Sequence, residues 1–240
     1  MSRKHQLRTD RASKSPVINV TSKRQEKEIV SALTRLIQHL QNKYGKQIDF
    51  VHSWEWKLKD ITRELRESYP DVDFHHHFDS SSMAPDGGIL CLKGKPEDKF
   101  IYPIVISEVK NQGTNDLRLK EGKKKQAKGN AIERLGKNVI GFRTALMRES
   151  IFPFVCFGYG CDFAPDSSIL DRVTTIAMFG KLNKTYLYNE GQGKFNRGSF
   201  YFREDKWSVD EMFEIMKDIA ERSILYYFSK YTEAHFVKPD

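Results

Sequence analysis

Pro85-Asp86-Gly87-Gly88, then Glu108-Val109-Lys110, then Gly129-Asn130-Ala131-Ile132-Glu133-Arg134 are the stretches of this 240-residue chain that decide its fold and its chemistry. Between the first two lie the apolar segments Ile89–Leu92 and Ile101–Val109, separated by Gly94-Lys95-Pro96-Glu97-Asp98, a spacing that predicts a β-hairpin. Side chains alternate along a strand, so Glu108 and Lys110 should emerge on one face, and Ser107 and Val109 on the other. Pro103 lacks a backbone donor, which predicts an irregular start to the second strand. A hard ion such as Mg²⁺ takes oxygen ligands and keeps several waters, so Asp86 and Glu108 suffice as its protein carboxylates. Lys110 beside them can position or help deprotonate an attacking water. Each signal alone has an ordinary explanation: Glu-x-Lys is a common solvated strand edge, and Pro-Asp-Gly-Gly is common turn punctuation. Their order around one hairpin is what carries weight.

Working outward, Arg118–Lys128 holds six basic residues and one acid, Glu121. It reads either as a solvated loop or as a segment that clamps DNA, with Lys123, Lys124 and Lys125 at its centre. It leads into a helix predicted to begin near Asn130. Along that helix Ile132, Leu135, Val139, Phe142 and Leu146 form the buried stripe, leaving Asn130, Glu133, Arg134 and Lys137 off the core. Asparagine suits bidentate contact with adenine, and arginine offers a rigid fork of donors to purines. The residues leave a second explanation open, in which Asn130 is an N-cap and Glu133 with Arg134 a surface ion pair.

Residues 1–20 carry Arg3, Lys4, Arg8, Arg11 and Lys14 against Asp10 and little that could be buried, which predicts a mobile basic arm. Residues 21–240 are expected to form a single catalytic and DNA-recognition domain. A helix is predicted from Ser22, with Gln25 completing a capping box, to Tyr44, and a second from about Glu55 to Arg66. Glu55 or Asp60 would be a further carboxylate if either reached the metal site. Val72, Phe74, His76 and Phe78 alternate as in a strand. Successive residues His75, His76 and His77 would then point to opposite faces and cannot converge on one ion. Phe152–Phe157 reads as a central strand. A helix over Ser167–Phe179, strands at Thr185–Tyr188 and Ser199–Phe202, and a Gly-rich turn over Glu190–Gly198 are expected to follow. Ser208 with Glu211 opens a last helix whose inner face is Met212, Ile215, Met216, Ile219, Ile224 and Phe228. The expected class is α/β, a mixed central β-sheet flanked by helices.

Net charge is +8 and the isoelectric point about 9.2, which favours a polyanionic partner. The sequence contains no apolar run of membrane-spanning length and no signal-peptide core, which disfavours a membrane partner. Cys91, Cys156 and Cys161 lack paired spacing and read as reduced thiols in a cytoplasm.

The three opening motifs, with Glu108-Val109-Lys110-Asn111-Gln112-Gly113, Phe152-Pro153-Phe154-Val155 and Met212-Phe213-Glu214-Ile215-Met216, resemble the EcoRI group of type II restriction endonucleases within the PD-(D/E)xK nucleases. The similarity keeps its order from about Ser80 to Tyr231, and Gly129–Arg134 is its most specific part. The resemblance implies the restriction endonuclease-like fold and a homodimer on double-stranded DNA. It also implies Mg²⁺-dependent cleavage at a palindromic site, leaving 5′-phosphate ends, with Asp86, Glu108 and Lys110 catalytic. It implies that Asn130, Ala131 and Arg134 read the inner pairs of an AATT core, and that Glu133 links recognition to cleavage. The outer pair is less defined. The prototype of the group has two arginines in a later helix where Ser168–Thr174 keeps only Arg172, and Gln126 and Lys128 replace apolar residues. A relative that reads CAATTG has an arginine at the Lys128 position. A companion DNA methyltransferase and a prokaryotic cytoplasm are further implications. Two other readings stand beside this one: a repair or junction nuclease on the same scaffold, and a DNA-binding regulator that does not cleave.

Overall fold

The alternation in the two hairpin segments becomes two neighbouring strands near the middle of a sheet. The structure, a computed structural model, describes residues 17–98, 100–111, 113–124, 129–161, 163 and 198–238. Its helices are α1 (Val17–Tyr44), α2 (Leu58–Ser68), α3 (Gly113–Lys120), α4 (Gly129–Ala145) and α5 (Val209–Tyr231). Its strands are β1 (Phe50–Ser53), β2 (Trp56–Lys57), β3 (Ser82–Met83), β4 (Gly88–Leu92), β5 (Tyr102–Asn111), β6 (Phe154–Tyr159) and β7 (Ser199–Arg203). Among the described residues the main sheet has five strands in the order β1-β4-β5-β6-β7. The β1–β4 and β4–β5 pairs are antiparallel, whereas β5–β6 and β6–β7 are parallel. This is the expected mixed sheet with flanking helices.

Strands buried on both faces need two covers, and the helices supply them. On one side α1 presents Ile29, Leu33, Leu36 and Leu40, and α5 presents Met212, Met216, Ile219, Ile224 and Tyr227. On the other, α4 brings Leu135, Val139 and Phe142, the turn after it brings Leu146, and α2 brings Ile61 and Leu65. Each such side chain contributes about 1.5–3 kcal/mol by leaving water.

Strand β5 changes parity partway along. Leu92 pairs with Tyr102 and Cys91 with Pro103, but Leu90 pairs with Val105, so Ile104 is one residue too many. Ile104 and Val105 therefore pack successively into the α1/α5 core. From Ile106 onward the even positions face α4. A bulge at Pro103–Ile104 is what turns Glu108 and Lys110 toward that side. It agrees with the irregularity predicted from Pro103, and the Tyr227 hydroxyl donates to the Pro103 carbonyl at 3.1 Å.

Several boundaries differ from expectation. Helix α1 spans Val17–Tyr44, so Ser22 lies inside it and is not its cap, and Val17–Val20 are helical. Residues 1–16 lie outside the described residues. Helix α2 starts at Leu58, not Glu55, because Trp56 is buried and pairs with Met83 as a short strand. Val72–Phe78 is not a strand. Among the described residues it pairs with no other strand, and Val72 and Phe78 are exposed. The segment from Arg118 is helical through Lys120, where α3 ends. The expected elements over 167–179 and 185–188 lie outside the described residues, as does most of the turn over 190–198. Strand β7 and the Ser208/Glu211 capping box are present. The three cysteines are buried and form no disulfide among the described residues, and burial pushes the Cys91 and Cys156 thiols up.

Candidate active site

The turn before β4 explains its own composition. The Gly88 amide donates to the Pro85 carbonyl at 3.0 Å, and the Gly87 amide to the Ser107 carbonyl at 2.9 Å. Gly88 has φ +84°, and a Cβ there would lie 2.3 Å from His52 Nε2. A Cβ on Gly87 would lie 2.2 Å from Ser107 Oγ. A side chain at Gly87 would press on β5 and one at Gly88 on β1, and either would shift the turn and Asp86 with it. His52 Nε2 donates to the Gly87 carbonyl at 3.3 Å and braces the turn from β1.

That turn delivers Asp86 to Glu108. The Asp86 amide donates to Glu108 Oε2 at 3.1 Å. Lys110 Nζ bridges the two carboxylates, donating to Asp86 Oδ2 at 2.9 Å and to Glu108 Oε1. Glu108 is 1% exposed, whereas Asp86 stays partly open. Burial drives the Glu108 carboxyl upward, with Lys110 opposing and the Asp86 charge adding to the rise. Burial works to lower the Lys110 ammonium, but Glu108 and Asp86 outweigh it and hold the group above its ordinary value. Lys110 is therefore a charged donor in this state.

The residues fit a hard divalent ion. The acceptors are oxygens of two carboxylates, and the place between them already holds a positive charge, that of Lys110. Glu55 does not join them. It accepts from Ser82 Oγ at 2.6 Å and pairs with Lys57 at 2.5 Å, and among the described residues no cluster of three or more His, Cys, Asp or Glu could hold a metal. Asp60 pairs with Arg63. His76 is engaged by Thr62 and Asp79, and His75 and His77 pack edge to face, their ring centroids 5.3 Å apart.

Two contacts escaped the sequence reading. Asn138, in the third turn of α4, donates from Nδ2 to Glu108 Oε1 at 3.1 Å. Gln25 of α1, nearly buried, donates to the Lys110 carbonyl at 3.3 Å. Asn138 carried a signal in its spacing, standing at i+4 from Arg134 and i+8 from Asn130, on one broad side of the helix. Gln25 carried none.

Asn130, Ala131, Glu133 and Arg134 lie in the first two turns of α4, as expected, and their side chains are outside the described residues. Lys123 pairs with Glu121 at 2.8 Å, and Arg118 Nε donates to the Lys124 carbonyl at 2.6 Å. Lys125, Gln126, Lys128 and Arg172 fall outside the described residues. Among the described residues no helix is long and apolar enough to cross a membrane.

The family model for the restriction endonuclease EcoRI matches residues 12–234. The type II restriction enzyme RsrI of Cereibacter sphaeroides is 30% identical over 227 residues, covering 80% of this chain and 79% of its own. The type II restriction enzyme EcoRI of Escherichia coli is 28% identical over 232 residues, covering 81% of this chain and 83% of its own.

Proposed function

This chain belongs to the EcoRI family and is a type II restriction enzyme, a site-specific deoxyribonuclease, and we propose that it cuts double-stranded DNA at a palindromic site containing AATT. The observation that carries the chemical half of this reading is the meeting of Asp86, Glu108 and Lys110 at the end of β5. Asp86 and Glu108 are the residues that would hold Mg²⁺. The chemistry such an ion supplies when bound is Lewis-acid polarisation of the scissile phosphate and stabilisation of the charge that builds on it. Lys110, kept charged by the two acids, donates from Nζ to orient the attacking water or a phosphate oxygen. The products carry a 5′-phosphate and a 3′-hydroxyl, with staggered cuts that leave AATT overhangs.

Asn130, Ala131 and Arg134 read the AATT core from the start of α4, and Glu133 belongs to the same network. Lys128, Gln126 and Arg172 bear on the outer base pair. Lys123, Lys124 and Lys125 with the basic arm contact phosphates, which add affinity without sequence information. Residues 21–240 act as one catalytic and recognition domain. Two copies related by a two-fold axis match the palindrome. A companion methyltransferase and a prokaryotic cytoplasm complete the setting.

Incubating the protein with plasmid and Mg²⁺ and sequencing the ends tests this. Discrete fragments ending in AATT are expected, with Asp86→Ala and Glu108→Ala abolishing cleavage while sparing specific binding in EDTA. Nicking of branched substrates alone, binding with no cleavage, or full activity in either variant would refute it.

A further inference from the structure

Glu108 is held from three directions, and only one of them comes from the helix that carries the reading residues. Oε2 accepts from the Asp86 amide, Oε1 from Lys110, and Oε1 again from Asn138 Nδ2 at 3.1 Å. The first belongs to the turn that also presents Asp86. The second is a cation, and a divalent ion arriving between the two acids would repel it from its bridging place. Asn138 is different. Its amide is neutral, so a metal ion does not displace it electrostatically, and it can hold the carboxylate in one plane whether Lys110 bridges the acids or has swung toward DNA.

Its place on α4 gives the contact a second consequence. Asn138 follows Arg134 by one helical turn and Asn130 by two, about 12 Å along a rigid helix at 1.5 Å per residue. Leu135, Val139 and Phe142, on either side of it in the sequence, are fully buried, so α4 cannot slide or roll there without disturbing the core. The pinned helix thus holds the reading end of α4 at a fixed spacing from Glu108, and one hydrogen bond closes the connection.

We infer that Asn138 is a positioning residue that orients the Glu108 carboxylate for metal binding and ties it to the base-reading end of α4. The inference rests on the proposed metal role of Asp86 and Glu108, and the experiment separates failure of one from failure of the other. Mn²⁺ is titrated into the complex of the dimer with an uncleavable duplex carrying the site, and binding is followed by loss of the free-ion EPR signal. Asn138→Ala and Asn138→Leu both remove the donor, and Leu keeps the same branching of side-chain heavy atoms at a larger volume. Loss of a partner that orients a metal ligand typically costs 10–100-fold. The half-saturating Mn²⁺ concentration should rise by about that factor in both variants, and kcat should fall alongside with KM little changed. Thermal melting and specific binding in EDTA should match the parent. Asn138→Gln, which keeps an amide donor, should recover part of the loss. Parental Mn²⁺ binding in both donorless variants would overturn the inference even with Glu108→Ala inactive. If Glu108→Ala itself binds Mn²⁺ like the parent, the metal site proposed above falls, and this inference with it.

Discussion

Glu64 shows how one buried group sets a pH dependence. It lies on α2 facing the sheet, 2% exposed, and its nearest cation is the Arg148 guanidinium at 3.8 Å. Burial outweighs that partner and raises the carboxyl to about 8. Below the unfolded value near 4.5 both states are protonated, so Glu64 imposes no penalty. Between there and about 8 the unfolded chain ionises while the folded one does not, and stability falls across that window. Glu64→Gln should therefore be increasingly more stable than the parent from pH 5 to pH 8, by an amount on the order of 2–4 kcal/mol. Urea melts at both pH values would show it, and a parent–variant difference that stays flat with pH would sink the assignment. Arg148 keeps other partners, the Ile101 carbonyl at 3.0 Å and the Phe100 ring at 3.8 Å, so the substitution does not strand it.

At the scale of elements, α5 has the best-defined start, and its signal was local. Ser208 Oγ accepts from the Glu211 amide at 3.2 Å, and Glu211 Oε2 accepts from the Ser208 amide at 2.9 Å. Arg203 of β7 grips the same carboxylate with both its terminal nitrogens, which tethers the helix start to the sheet and holds Glu211 down at about 2. Ser208→Ala should cost about 1 kcal/mol, toward the lower end of the usual range because Glu211 and Arg203 remain. Chemical denaturation measures this, and cleavage by the folded fraction should be unchanged. Expectations failed where an element's identity depended on a distant partner. Val72–Phe78 has the alternation of a strand but, among the described residues, no strand to pair with. Trp56 has a helical context but is claimed by Met83.

At the scale of the molecule, the positive charge and the position of α1 belong together. Helix α1 packs along the sheet, and Gln25 in its third turn touches the Lys110 carbonyl, so the N-terminal part of α1 lies beside the end of β5 that carries the active site. Residues 1–16 hold five basic residues against one acid. Each phosphate contact contributes about 0.9 to the slope of log K against log salt. A chain starting at Val17 should bind its site with a slope shallower by up to about 4.5, and the ratio of specific to nonspecific affinity should be unchanged. Filter binding across a salt series checks this, and an unaltered slope would show that the arm does not touch DNA.

What the sequence determined by itself were the features with a local cause. These are the period-two hairpin, the helical stripe of α4, the cap of α5, and the order of Pro85–Gly88, Glu108–Lys110 and Gly129–Arg134. They depend on backbone geometry and on neighbours a few residues away. Only the tertiary structure decided which groups meet. Counting alternately from Tyr102 would put Glu108 on the α1/α5 side. The extra residue at Ile104 reverses that, and it shows only in the register between β4 and β5. The same holds for Asn138 on Glu108 and for Glu55, which pairs with Lys57 and Ser82 away from the acids. Contacts between residues far apart in the chain are set by how the sheet and helices pack as a whole, and no short window of sequence contains that.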